Sequence, residues 1–235
     1  MKVIGLLGGM SWESTLTYYR IINEGVRARL GGSHSAECVI YSVDFEPVEQ
    51  LQHEGRWDEL TEVLIRCAQR IEAGGAQLLL ICTNTMHRMA DEVEAAITIP
   101  LIHIVDATAE EIVRAGIGTV GLLGTRFTME EDFYRERLRL GFGINVVIPG
   151  EEDRETVHGV IYEELVRGRI EERSRLEFTR VIESLADRGA GGIVLGCTEI
   201  PLLVGPDDTD VPLFDTTRIH ATAAVAAALG AGGHP

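Results

Sequence analysis

The sequence predicts an α/β protein with mainly parallel sheets, built as two related halves. Three observations predict it. Short β-branched apolar runs alternate with segments of helical period. The run Val-Ile-Gly-Leu-Leu-Gly at 3–8 returns as Thr-Val-Gly-Leu-Leu-Gly at 119–124. A helix end, a glycine turn, a strand and a Cys-Thr pair occur twice, at 73–83 and at 188–198.

Strands are predicted over 2–7, 37–43, 77–82, 118–123, 144–148, 191–196 and 211–214, with a short one near 101–104. Helices are predicted over 12–29, 57–73, 85–95, 107–115, 128–140, 153–167, 171–188 and 216–229. The segment 57–73 puts Leu60, Val63, Leu64, Cys67 and Ile71 on one stripe. Each repeated strand precedes a hydroxyl residue suited to open a helix: Ser11 first, then Thr125 or Thr128. The expected first half is 1–97 plus 211–235, and the second is 98–210. The final helix is expected to return to the first half, where it finds an apolar partner. Each Cys-Thr pair falls at the carboxyl end of a strand, where open α/β sheets bind ligands.

Composition narrows the function. The chain has 235 residues, 45% hydrophobic and 25% charged, enough to bury a core without staples. A net charge of −16 argues against nucleic acid or an anionic membrane as partner. The opening run Lys2–Gly8 is too short and too glycine-rich for a leader or a membrane span. A cytoplasmic location with reduced thiols is therefore expected for Cys38, Cys67, Cys82 and Cys197. No two of them form C-x-x-C, so no zinc site is expected. Lys2 is the only lysine, which leaves no good candidate for a pyridoxal-phosphate Schiff base and none for a Walker A loop.

The chemistry gathers at strand ends. Cys197, in Gly196-Cys197-Thr198-Glu199, follows a strand where a helix should start. Helix N-terminal amides would lower its pKa, and the N–H groups of Thr198 and Glu199 would receive a substrate carboxylate. A small buried hydrophobe is the other reading of this cysteine. In Cys82-Thr83-Asn84-Thr85-Met86-His87, Asn84 and Thr85 suit a helix start with side chains able to cap amides. His87 invites a general-base role, or is an ordinary histidine of a first helical turn. Gly8-Gly9-Met10-Ser11 lacks the spacing of a dinucleotide fingerprint, yet its amides could grip a carboxylate.

Three motifs together carry a resemblance: Gly-Leu-Leu-Gly-Gly-Met-Ser-Trp-Glu-Ser at 5–14, Cys-Thr-Asn-Thr-Met-His at 82–87 and Gly-Cys-Thr-Glu-Ile at 196–200. In that order they resemble the aspartate/glutamate racemases of the wider aspartate/glutamate/hydantoin racemase group. The resemblance runs through nearly the whole chain. It implies two pseudo-symmetric α/β domains with the active site in the cleft between them, a homodimer, an amino-acid substrate, and catalysis with no cofactor and no metal. A racemase removes a proton from one face of Cα and returns one to the other, which two opposed groups accomplish.

Relatives commonly carry Cys-Asn-Thr in the first half, whereas Thr83 precedes Asn84-Thr85 in this chain. The internal repeat aligns Cys82 with Cys197; the family motif aligns Thr83 with it. A one-residue shift turns a strand-end side chain to the other face, so Thr83 is expected to face substrate and Cys82 the core. This resembles a Thr/Cys subgroup of L-aspartate/glutamate-specific racemases. A cysteine, with an unperturbed pKa of about 8.5, can ionise, while threonine donates or relays a proton more readily than it abstracts one. Cys197 is therefore expected to take the Cα proton and Thr83 to return one, with unequal rates for the two enantiomers. Amides near Met10, Asn84, Thr85, Thr125, Thr198 and Glu199 are candidate carboxylate binders. The resemblance adds Gln52 and Glu164 as readers of the substrate ammonium or side chain. A single-cysteine decarboxylase or isomerase, and a non-catalytic amino-acid-binding module, are the alternative functions.

Overall fold

The structure is a computed structural model that describes residues 1–230. The chain forms two compact units. The first comprises Met1–Ile104 and the described chain from His220; the second is Val105–Ile219.

In the first unit the order is β1 (Ile4–Gly8), α1 (Trp12–Leu30), β2 (Cys38–Ser42), α2 (Phe45–His53), α3 (Trp57–Ala73), β3 (Leu78–Ile81), a 3-10 turn at Thr85–Met89 and α4 (Ala90–Ala95). The three strands are parallel in the order β2-β1-β3. β1 and β3 are buried along their whole length, as expected for parallel strands covered on both faces. On one side α3 lays Leu60, Leu64, Cys67 and Ile71 against Leu7, Leu79 and Ile81. On the other, Tyr18, Ile22 and Val26 of α1 pack with Leu6, Leu80 and Cys82.

The second unit contains α5 (Ile104–Arg114, whose first residue closes the first unit), β4 (Thr119–Gly124), α6 (Arg126–Glu130), α7 (Asp132–Phe142), β5 (Asn145–Val147), α8 (Glu151–Glu163), α9 (Glu172–Asp187), β6 (Ile193–Gly196) and β7 (Leu213–Asp215). α10 (Thr216–Leu229) comes last, and beyond His220 its Ala221, Ala224 and Val225 join the core of α1. The sheet is parallel with order β5-β4-β6-β7. Its first three strands repeat the order of the first sheet, β2-β1-β3, with three added to each number.

Four details differ from expectation. A helix occupies Phe45–His53 despite Pro47, because Pro47 lies in the first turn, where N–H groups lack intrahelical partners. The strand expected near 101–104 reduces to one bridge between Leu79 and Leu101, and α5 starts at once. The helix expected over 128–140 is broken by extended backbone at Glu131, which separates α6 from α7. Finally β7, expected to return with the first half, pairs with β6, so only the chain from His220 returns.

Candidate functional site

In the first unit five expected site residues lie beyond the carboxyl ends of three adjacent strands: Met10 after β1, Gln52 in the helix after β2, and Thr83, Asn84 and Thr85 after β3. The β1 loop is tightly specified. Gly9 has φ +93°, and a Cβ there would strike the Val43 backbone. Its N–H donates to Thr15 Oγ1 at 2.8 Å, while Ser11 caps α1 by accepting from Ser14 N at 3.3 Å. Met10 is buried beside Val48 of α2, and Gln52 lies buried one turn further along that helix.

The β3 loop begins with Cys82, fully buried in the core of α1 and α10. Burial raises its thiol pKa far above the ordinary range. Thr83 comes next and is half-buried. Its N–H donates to Ile81 O at 2.9 Å, and its carbonyl is 2.8 Å from His87 Nδ1. Asn84 and Thr85 are buried, but Asn84 makes no side-chain cap, contrary to expectation, because the segment tightens into a 3-10 turn.

In the second unit Thr125 stands just after β4, and Cys197, Thr198 and Glu199 just after the neighbouring β6. Thr125 caps α6 by accepting from Thr128 N at 3.4 Å, which resolves the choice between the two threonines. Gly124 and Gly196 pair across the strand ends, and a Cβ on Gly196 would sit 2.9 Å from Leu123 O. That close approach accounts for the glycine before Cys197. Glu164 belongs to a different setting: its Oε2 accepts from Ser174 Oγ at 2.6 Å, joining the end of α8 to the start of α9.

Cys197 is buried, and its Sγ–H donates to Glu199 Oε2 at 3.1 Å. The same oxygen accepts from Thr198 Oγ1 at 2.7 Å. Burial raises the thiol pKa well above its usual value, the Glu199 charge raises it further, and the amides of Glu199 and Thr198 only partly oppose them. The lowered pKa expected from a helix after Cys197 is therefore not found. The chain there makes only a three-residue 3-10 turn, Ile200–Leu202, too short for a substantial dipole. The resting Cys197 is therefore a neutral thiol hydrogen-bonded to the Glu199 side chain.

Sheet register relates the two loops. Leu7 pairs with Ile81, and Leu123, its counterpart in the repeat, pairs with Leu195. Thr83 and Cys197 each lie two residues beyond those partners, while Cys82 corresponds to Gly196. Among the described residues no group of three His, Cys, Asp or Glu side chains is placed to hold a metal. Nor is any helix among them long and apolar enough to cross a membrane.

One parallel α/β plan is thus used twice, with Thr83 and Cys197 just past equivalent strands. The chain belongs to the Asp/Glu/hydantoin racemase family, whose profile matches residues 7–224. It is similar to a Yersinia pestis protein provisionally described as an Asp/Glu racemase, with 53% identity and a TM-score of 0.92 over 98% of this chain and 100% of that one. An aspartate racemase homologue from Pyrococcus horikoshii OT3 has 36% identity and a TM-score of 0.85, over 98% and 100% of the two chains. The broad specificity amino-acid racemase RacX of Bacillus subtilis (strain 168) is 24% identical over 95% of this chain and 96% of its own.

Proposed function

We propose that the protein racemises aspartate or glutamate without a cofactor, using Cys197 and Thr83 as the two proton-transfer groups. The observation that carries this reading is their equivalence in sheet register, joined to membership of a family of amino-acid racemases. Cys197 passes its proton to Glu199 and, as thiolate, takes the Cα proton; the electron pair left on Cα spreads into the substrate carboxylate. Thr83 returns its hydroxyl proton to the other face of Cα, solvent water reprotonates its oxygen, and Glu199 releases to solvent the proton it took, so that the proton count closes. Amides at Met10, Asn84, Thr85, Thr125, Thr198 and Glu199 hold the developing charge, worth roughly 3–4 kcal/mol for a well-placed donor. Gln52 reads the substrate's polar groups, and Glu164 joins it only by releasing Ser174. Membership of the family favours an acidic substrate, whereas the likeness to RacX favours a wider range. The protein acts as a homodimer, which light scattering tests directly.

The test is Cα–H exchange in D2O with L- and D-aspartate and L- and D-glutamate, followed by proton NMR in wild type and Cys197→Ser. Exchange that needs Cys197 and yields the opposite enantiomer is expected. No exchange with any of the four would overturn the acidic substrate. A single-thiol decarboxylase is the second reading, favoured by the hydroxyl where a second thiol would stand. Release of CO2 from a substituted malonate would establish it.

A further inference from the structure

We infer that His87 is a positioning residue that clamps the Thr83 turn to the segment where the chain leaves the first unit. The inference rests on the racemase reading for its kinetic meaning, though not for its geometry. His87 is buried, and each ring nitrogen has a partner of opposite kind. Nδ1 lies 2.8 Å from Thr83 O, which can only accept; Nε2 lies 3.2 Å from Ile104 N, which can only donate. Those two bonds specify one neutral tautomer, protonated on Nδ1. The general-base role that sequence alone suggests for His87 would require it to surrender one of them.

The clamp joins a candidate catalytic turn to a crossover. Thr83 has its N–H on Ile81 O and its carbonyl on His87, so both polar groups of its backbone are fixed. Cys82 O just before it accepts from Ser14 Oγ at 3.3 Å. Ile104 is the last residue of the first unit before Val105 begins the second. Two residues earlier, Ile102 O accepts from His220 Nε2 at 2.7 Å, and His220 Nδ1 accepts a hydrogen bond from the Tyr18 hydroxyl at 2.8 Å. The His87 ring packs edge-on against His103 and His220, with centroids 4.6 and 5.6 Å away. The crossover stretch of chain is thus tied down by two histidines, and one of them also holds the Thr83 turn. A proton transfer from Thr83 depends on its hydroxyl being held within a few tenths of an ångström, which a fixed backbone supplies.

Two isosteres separate the halves of the clamp. In His87→Asn the amide nitrogen takes the place of Nδ1 and keeps the bond to Thr83 O. In His87→Gln the amide oxygen takes the place of Nε2 and keeps the bond from Ile104. We would record kcat, KM and melting temperature for both and for His87→Ala, together with the ring nitrogen NMR of 15N-histidine-labelled protein. Expected are an Nδ1–H tautomer at neutral pH, a kcat within a few-fold of wild type for His87→Asn, and losses of roughly tenfold or more for His87→Gln and His87→Ala at little-changed KM. An Nε2–H or doubly protonated ring overturns the inference, as does activity that tracks melting temperature alike in the Asn and Gln variants. If wild type exchanges no amino acid, the amide of Asn84, next after the Thr83 carbonyl, decides instead. Its hydrogen exchange should quicken in His87→Gln and not in His87→Asn. The racemase reading then fails while the clamp stands, and equal exchange in both variants overturns the clamp.

Discussion

Thr83 and Cys197 occupy the same place in two copies of one strand pair: each is two residues past the partner of an equivalent leucine, Leu7 or Leu123. Side chains alternate across a strand, so this equality of register puts Cys82 on the opposite face, in the core with Tyr18 and Leu80. The two halves thus present different chemistry at one position, a hydroxyl and a thiol.

That difference predicts separable defects. On the proposed division of roles, Thr83→Ala in D2O should still exchange the Cα proton of one enantiomer, with little inversion. Cys197→Ser should lose both exchange and inversion, by roughly 10²-fold or more if the thiol acts as general base. Equal loss of both signals in the two variants would contradict the division of roles.

The Cys197–Glu199 contact predicts a shift in thiol reactivity. Burial is the larger cause of the raised pKa and the Glu199 charge the second. Removing a negative charge favours the thiolate, so Glu199→Gln should move the pH midpoint for alkylation of Cys197 by iodoacetamide downward. Mass spectrometry at that cysteine reads it. An unchanged or higher midpoint would remove Glu199 as a cause.

His220 predicts an acid-sensitive fold. Its pKa falls from 6.5 to about 4, first because burial disfavours the cation, against a smaller opposite effect of Ile102 O. The unfolded chain therefore binds a proton before the folded one does, and stability falls as pH drops from 6.5 towards 4. The full effect is roughly 3 kcal/mol. Above pH 6.5 it is fully retained. Melting temperature measured against pH should fall less steeply in His220→Gln than in wild type across that window.

The strand ends and the helices predict opposite outcomes for two glycines. Gly196→Ala would place Cβ 2.9 Å from Leu123 O and 3.0 Å from Leu122 Cδ1. Overpacking of this kind costs roughly 1–3 kcal/mol, and the displaced Cys197 should lose activity as well. Gly159 lies inside α8 with nothing within 4 Å of its would-be Cβ, so Gly159→Ala should stabilise by roughly 0.5–1 kcal/mol. Urea unfolding of the two variants checks both signs.

Much of this molecule is local in the sequence. Seven strands, the helices around them and the repeat are legible because buried parallel strands are continuous apolar runs and helices carry their own period. The strand-end location of Cys197 is legible for the same reason. The helix at Phe45–His53 escaped because its apolar stripe is short and Pro47 disguises its first turn. Other features are fixed by residues distant in the chain. Pairing with Leu7 and Leu123 decided that Thr83, not Cys82, matches Cys197. β7 joined the second sheet because its hydrogen-bond partner there is β6. Cys197 holds its proton because folding buries it beside the Glu199 carboxylate, whereas a motif alone suggests an ionised thiol. The sequence by itself determined the alternation of elements and the duplicated plan, since period and propensity are properties of neighbours. Register, burial and the partners of each polar group belong to the tertiary structure, since each is set by which remote residues come within contact distance.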